Sequence, residues 1–162
     1  MSEEGSELAG FLPYQLSVTS NAVSGLIAER YRKRFGLKIP EWRVMAVLGD
    51  AEAAGRELTQ RALTAATVMD KVAVNRAVKV LEERGLIARV PNPGDGRSHL
   101  LALTAEGRAI HAEVMPLARA TERELLQGFG EAEETDLRDL LARLRARAMQ
   151  LAGPAPEGPE QD

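Results

Sequence analysis

Residues 70–85 read DKVAVNRAVKVLEERG, and this pattern predicts one amphipathic helix. Asp70 suits the N-cap and Gly85 suits the stop, so the predicted helix covers about residues 71–84. Four of its apolar side chains fall within about 100° of arc on a helical wheel. A helix of this kind packs one face against a core and leaves the other face for a partner. The four residues on this face are Val74, Ala77, Val78 and Leu81.

The segments on either side extend this helix into a larger motif. Thr59 suits the N-cap of a short preceding helix, and the pattern after Gly85 changes from helical to extended. Short helix, turn, second helix and hairpin is the order of a winged helix-turn-helix, in which the second helix enters the major groove. The predicted elements are helices at about 60–66 and 71–84 and strands at 86–90 and 98–103, joined by a loop at 91–97.

Long helices are predicted on both flanks. Pro13 lies near the first turn of the first helix and Gly36 ends it, while Pro40 opens the second. Thr104 suits the N-cap of the helix after the hairpin, and Pro116 inside that helix predicts a kink. The predicted fold class is mainly α with a small β-hairpin wing. These flanking helices cover about 13–35, 40–54, 105–127 and 131–151.

The length of 162 residues suits one domain with extensions. Five segments are expected along the chain. They are a disordered acidic N-terminus at 1–11, helices for support and dimerisation at 12–55, the DNA-binding winged helix-turn-helix at 56–103, C-terminal dimerisation helices at 104–152, and a disordered tail at 153–162.

Charge is distributed unevenly along the chain. The net charge is −3, but residues 56–98 hold eight Lys/Arg against five Asp/Glu, which is +3, and the rest of the chain is −6. A relatively basic middle gives mild support for a DNA-facing surface. The acidic start and the lack of a long apolar run predict a cytoplasmic protein with no membrane contact.

The composition argues against an enzyme. The chain has no cysteine and only two histidines, His99 and His111. No serine lies in a nucleophile elbow, and no glycine-rich phosphate motif is present. No cluster of His, Asp and Glu has the spacing of metal ligands. We therefore expect no catalytic site, no cofactor and no metal.

The polar face of the 71–84 helix offers side chains suited to DNA. Arg76 can read guanine, Asn75 can pair with adenine, and Val72 can touch a thymine methyl. Lys71 and Lys79 are better suited to phosphates, which position a protein without specifying sequence. The alternative is an ordinary solvated helix face. The candidate DNA contacts are Arg61, Lys71, Val72, Asn75, Arg76, Lys79 and Arg97.

The loop of the hairpin supplies the last of these candidates. Arg97 lies beside glycines on the loop, where an arginine can enter a narrow minor groove. Asp95 repels phosphate, so two roles are open for it. Its carboxylate could pair with a nearby arginine and orient the wing, or it could form an ordinary Asp-Gly turn.

An ordered string of short motifs runs across the central 40 residues, and its members are Met69-Asp70-Lys71, Val74-Asn75-Arg76, Leu81-Glu82-Glu83-Arg84-Gly85-Leu86-Ile87, Asp95-Gly96-Arg97-Ser98 and Leu103-Thr104-Ala105-Glu106-Gly107-Arg108. This string resembles the multiple antibiotic resistance regulator (MarR) family, and the flanking helices extend the resemblance over about residues 10–150. The resemblance implies an obligate dimer, a recognition helix at about 71–84, a wing around Arg97, and a wing-orienting role for Asp95. In this family the terminal helices intertwine between protomers, and repression is the commoner outcome.

The long apolar flanking helices also predict a homodimer. Two recognition helices related by a two-fold axis would lie about 34–36 Å apart and read an inverted repeat. For the leucines of the last helix, an intramolecular bundle is the alternative.

The family resemblance further implies a cleft for a small aromatic or anionic effector that releases DNA. Core packing is the alternative role for Trp42 and Met45, and a plain surface position is the alternative for His111. The candidate effector residues are Tyr31, Trp42, Arg43, Met45 and His111.

A winged helix can also serve protein–protein contact. The exposed face of the 71–84 helix would then be apolar, whereas it carries Lys71, Asn75, Arg76 and Lys79. The sequence therefore favours a DNA-binding regulator of transcription.

Overall fold

The computed structural model describes residues 7–153. Residues 1–6 and 154–162, which hold most of the predicted disordered N-terminus and tail, lie outside the described residues; residues 7–10 form a turn. The predicted fold class is confirmed, because helices dominate and the strands form one small sheet. The elements are α1 (Leu12–Phe35), α2 (Ile39–Ala53), β1 (Leu58–Thr59), α3 (Gln60–Thr67), α4 (Lys71–Glu83), β2 (Ile87–Pro91), β3 (His99–Leu103), α5 (Ala105–Leu125) and α6 (Glu131–Ala152).

The sheet is antiparallel, with strand order β1-β3-β2. Its hairpin pairs Ile87 with Leu103 at the base and Pro91 with His99 towards the tip. The sequence predicted this hairpin but not β1, which has two residues and pairs Leu58 with Leu101. A strand this short has no periodicity of its own, and its pairing with β3 defines it.

Local chemistry sets the helix ends much as predicted. The Thr59 side chain accepts a hydrogen bond from the Ala62 N–H at 3.2 Å, and Asp70 accepts one from the Ala73 N–H at 2.9 Å. These bonds satisfy N–H groups that have no partner within the helix. Gly36 ends α1 in the left-handed region, at φ 63°. Pro116 lies inside α5 as expected; the kink there stays a prediction.

The core forms where α4 packs against α2 and the sheet. The predicted inner face of α4 is buried, with Val74, Val78 and Leu81 all at 0% exposure. Leucines of α2 and β3 join the same apolar cluster. Burial of such side chains stabilises a fold by about 1.5–3 kcal/mol each. The orientation of α4 is thereby fixed.

A compact hydrogen-bonded joint closes the base of the wing. The Thr104 hydroxyl donates to the Gly85 carbonyl at 2.7 Å and accepts from the Gly107 N–H at 3.0 Å. The Thr104 N–H donates to the Leu86 carbonyl at 3.0 Å. A Cβ at Gly107 would lie 2.0 Å from that same carbonyl oxygen, so only glycine fits. The Leu103–Gly107 motif thus holds both ends of the hairpin together.

The chain divides into two compact units after Thr121. The first holds the sheet with α1 to α4 and most of α5. In the second, Arg138 bridges Glu134 at 2.6 Å and Glu122 at 2.9 Å, and no residue of α6 is buried. Within the described ranges, no helix is both long and apolar enough to cross a membrane.

Candidate nucleic-acid interface

The outward face of α4 is the centre of the candidate interface. The predicted contact residues on this helix are exposed, while Val74 and Val78, between them in sequence, are fully buried. Arg61 is likewise exposed in the first turn of α3. The face presents cations, an amide and one apolar side chain. These exposed α4 residues are Lys71, Val72, Asn75, Arg76 and Lys79.

A neighbouring glutamine engages Asn75. The Gln60 amide donates to the Asn75 carbonyl oxygen at 2.5 Å. Pairing with adenine needs both that oxygen and the amide nitrogen of Asn75. The bond to Gln60 uses one of the two lone pairs of that oxygen, so Asn75 can keep it while it reads adenine. The sequence analysis missed Gln60, because only the packing of α3 against α4 brings the two amides together.

A groove of about 520 Å³ runs between the start of α2 and α4. Lys38, the N-cap residue of α2, and the α4 residues Arg76 and Lys79 bring cations to this groove. The sequence analysis missed Lys38, which belongs to neither the helix-turn-helix nor the wing. The basic run at residues 30–38, with five Lys/Arg, was the available signal. Two carboxylates also line the groove, and that of Glu41 accepts the Lys38 N–H at 2.9 Å. The lining residues are Lys38, Pro40, Glu41, Ala73, Arg76, Ala77, Lys79, Val80 and Glu83.

The wing tip is organised by its own side chains. The Asp95 carboxylate accepts the Arg97 N–H at 3.0 Å. Asn92 accepts from the Gly94 N–H at 3.0 Å and donates to the Ser98 hydroxyl at 2.8 Å. In the region that the structure covers, Asp95 forms no ion pair, which favours the turn interpretation over pairing with an arginine. Arg97 is exposed at this tip.

Two arginines tie the C-terminal end of α4 and the wing to their surroundings. Arg89 of β2 donates to both carboxylate oxygens of Glu82, at 2.7 and 3.3 Å. Arg84 donates to the carbonyls of Phe35 and Gly36 at 2.6 and 3.1 Å. These two hydrogen bonds join the end of α1 to the end of α4.

Glu52 makes a third connection, between α2 and the base of the wing. It accepts the Leu103 N–H at 3.1 Å and pairs with Arg108 at 2.8 and 3.2 Å. The hydrogen bond and the charge of Glu52 raise the pKa of Arg108 above its usual value. Glu52 thereby holds β3 and the start of α5 on α2.

Three of the five candidate effector residues surround one cavity. Tyr31, Trp42 and Arg43 line a space of about 190 Å³ between α1 and α2. Burial raises the pKa of Tyr31 to about 12, against the opposing charge of Arg43, so its hydroxyl stays protonated. Arg43 brings a cation to the same cavity.

The other two effector candidates lie elsewhere. Met45 has 0% exposure and belongs to the core, so its role is core packing, the alternative given for it above. The His111 ring lies 5.5 Å from that of Trp42 and against Gly49, where a Cβ would meet the ring. It is half-buried rather than plainly on the surface, and burial lowers its pKa, against the opposing charge of Glu52.

Comparisons with known proteins agree with this geometry. The MarR family model matches residues 35–98. Transcriptional regulator HosA from Escherichia coli is 33% identical over 98 residues, 60% of this chain and 69% of that protein. A MarR/EmrR family regulator from Acinetobacter sp. ADP1 is 30% identical, with TM-score 0.75, over 84% of this chain and 93% of that one.

A further similar structure is the PcaV transcriptional regulator from Streptomyces coelicolor, solved in complex with its natural ligand. It shares the fold at 24% identity and TM-score 0.74, covering 92% of this chain and 100% of that chain. These proteins are regulators of transcription, not enzymes, as the sequence predicted.

Proposed function

This chain belongs to the MarR family of transcriptional regulators, and on that premise we propose that it is a homodimeric repressor of transcription. It binds an inverted repeat in double-stranded DNA through α4 and the wing. A small aromatic or anionic effector releases it from that site.

The division of α4 into two faces carries the proposal. Its inner face is locked in the core by Val74, Val78 and Leu81, so the outer face has one fixed orientation. That outer face is cationic and polar rather than apolar, which suits a nucleic acid and not a protein groove. A rigid helix can present base-reading groups with the accuracy that specificity requires.

The contacts divide by chemistry. Arg76 reads guanine and Asn75 reads adenine. Lys71, Lys79 and Arg61 contact phosphates, and Lys38 extends this set along the groove beside α4. Arg97 enters the minor groove from a tip that Asp95 shapes through its bond to the Arg97 N–H.

The exposed apolar residues of the terminal helices support a homodimer. In α6, Leu137, Leu140, Leu141 and Leu144 are 37–57% exposed. In α1, Leu12, Tyr14 and Leu16 are also exposed. No residue of α6 is buried, which argues against an intramolecular bundle. Contiguous exposed apolar residues of this kind mark interfaces, and a second copy offers the matching surface.

The cavity beside Tyr31, Trp42 and Arg43 suits the effector. Aromatic walls and one guanidinium fit a small aromatic anion. PcaV, with the same fold, is solved with a natural ligand. The cavity lies between α1 and α2, and Arg84 joins the end of α1 to α4. A ligand that favours the DNA-incompetent state by about 1–3 kcal/mol would release the operator.

Fluorescence anisotropy with DNA from the protein's own upstream intergenic region tests this function. Excess nonspecific competitor is included. The wild type binds at nanomolar concentration, and Arg76→Ala and Arg97→Ala weaken binding. Arg32→Ala, an exposed arginine of α1, is the matched control and binds like the wild type. Equal binding to the upstream region and to the competitor, across all these proteins, would overturn the proposal.

A further inference from the structure

The turn between α3 and α4 holds a valine in an unusual backbone conformation. Val68 has φ 54° and ψ 34°, in the left-handed region, and among residues 7–153 it is the one non-glycine residue with positive φ. The branched Cβ crowds the backbone there, so glycine or asparagine would hold this turn with less strain. Strain that persists at one position points to a role there other than folding.

Val68 is also the most exposed large apolar side chain in the described part of the molecule, at 85%. Its neighbours in the turn face the other way, since Thr67 is 3% exposed and Met69 packs against the core. The turn therefore gains nothing from an apolar side chain at this position. The strain lowers the stability of the protein, and the exposed side chain makes no packing contact that would offset it.

The position of Val68 suggests what it contacts. It lies two residues before Asp70, the N-cap of α4, and Val72 in the first turn of α4 is 57% exposed. In a helix-turn-helix, the N-terminal residues of the recognition helix contact base edges. The apolar group on the major-groove edges is the thymine methyl. The exposed side chains of Val68, just before α4, and Val72, in its first turn, are therefore suited to contact thymine methyl groups in the major groove.

We propose that Val68 contacts the 5-methyl group of a thymine in each half-site and so helps to determine the sequence that the protein selects. The inference rests on the proposed function, because it requires α4 to enter the major groove. Val68 lies outside the helix that contains the other base-reading candidates, and it adds one position to the sequence that the protein reads.

Selection from a pool of randomised duplexes tests this inference. Wild type, Val68→Ala and Val72→Ala each select their preferred sequences, and deoxyuridine then replaces each selected thymine in turn. Alanine removes two methyl groups while it keeps the left-handed backbone, so the variant isolates the side-chain contact. The thymines away from the contact serve as internal controls.

We expect the wild type to select one thymine per half-site that Val68→Ala does not select. Deoxyuridine at that position should weaken the wild type about fourfold per half-site, as for the loss of one buried methyl group, and leave Val68→Ala unchanged. Val68→Gly relieves the backbone strain, so its melting temperature should rise by a few degrees while the thymine preference is lost.

Three results would contradict these expectations, and they are distinguishable. If Val68→Ala keeps both the thymine preference and the sensitivity to deoxyuridine, the contact does not exist although the regulator function stands. If Val68→Gly melts at a lower temperature, the valine serves the fold and the inference falls. If the wild type selects no sequence at all, the proposed function itself fails.

Discussion

Helices α4 and α6 are both amphipathic, but the chain treats their apolar faces in opposite ways. In α4 the inward-facing apolar residues Val74, Ala77, Val78 and Leu81 are at 0–3% exposure, and the exposed face is polar and basic apart from Val72. In α6 no residue is buried, and leucines remain 37–57% exposed. An amphipathic pattern thus gives a helix packed in the core in the case of α4, and a helix whose apolar face is uncovered in the case of α6.

This difference separates two kinds of partner. A helix whose apolar face is covered by its own chain recognises through charge and hydrogen bonds, which suits DNA. A helix whose apolar face is uncovered gains stability only when another surface covers it. We therefore assign α4 to the operator and α6 to a second copy of the chain.

The largest expected effect comes from charging the apolar face of α6. Leu140→Glu combined with Leu144→Glu should convert the dimer to a monomer in sedimentation experiments, because charges cannot be buried in the interface. Affinity for an inverted repeat should fall by about 10²–10⁴-fold, with little change for a single half-site. A variant that stays dimeric would break the assignment of α6.

The same substitution in both helices sharpens the comparison. Leu81→Ala removes fully buried methyl groups from the core and should lower the free energy of unfolding by about 2–5 kcal/mol at every protein concentration. Leu141→Ala should act mainly through the dimer, so its urea midpoint should depend on protein concentration more steeply than that of the wild type. Identical concentration dependence for the two variants would contradict this account.

The cap of α4 offers a smaller effect. Asp70→Ala removes the bond to the Ala73 N–H and should cost about 0.5–2 kcal/mol in thermal or urea unfolding. Operator affinity should fall as well, because Val72 and Asn75 lie in the first turns of this helix. Asp70→Asn keeps an acceptor and is the control, expected to resemble the wild type in both measurements.

The smallest effect concerns the groove beside α4. Lys38→Gln should lower the slope of log affinity against log salt by about 0.9, as for one lost phosphate contact. Lys33→Gln makes the same charge change in α1, on a residue that does not line this groove, and should leave the slope unchanged. Equal slopes for the two variants would assign the effect of Lys38 to overall charge alone.

Much of the interface could be predicted because its signals are local. Helical periodicity separated Val74 and Val78 from Asn75 and Arg76, and Thr59 and Asp70 cap the helices that they were predicted to cap. Periodicity could not reveal Gln60 beside Asn75 or Lys38 beside Arg76, because each pair meets across two helices. The family resemblance also grouped Met45 and His111 with the cavity residues, whereas packing places Met45 in the core and His111 against Gly49.

Spacing, capping residues and turn glycines act over a few residues, so the chain alone determined its helices, its hairpin and the two faces of α4. Tertiary structure decided which distant groups meet: Arg84 with the Gly36 carbonyl 48 residues away, Glu52 with Arg108 across 56, and Gly107 against the Leu86 carbonyl. These contacts depend on the closure of long loops and on the shape of the packed core. No local pattern of residues encodes either of them.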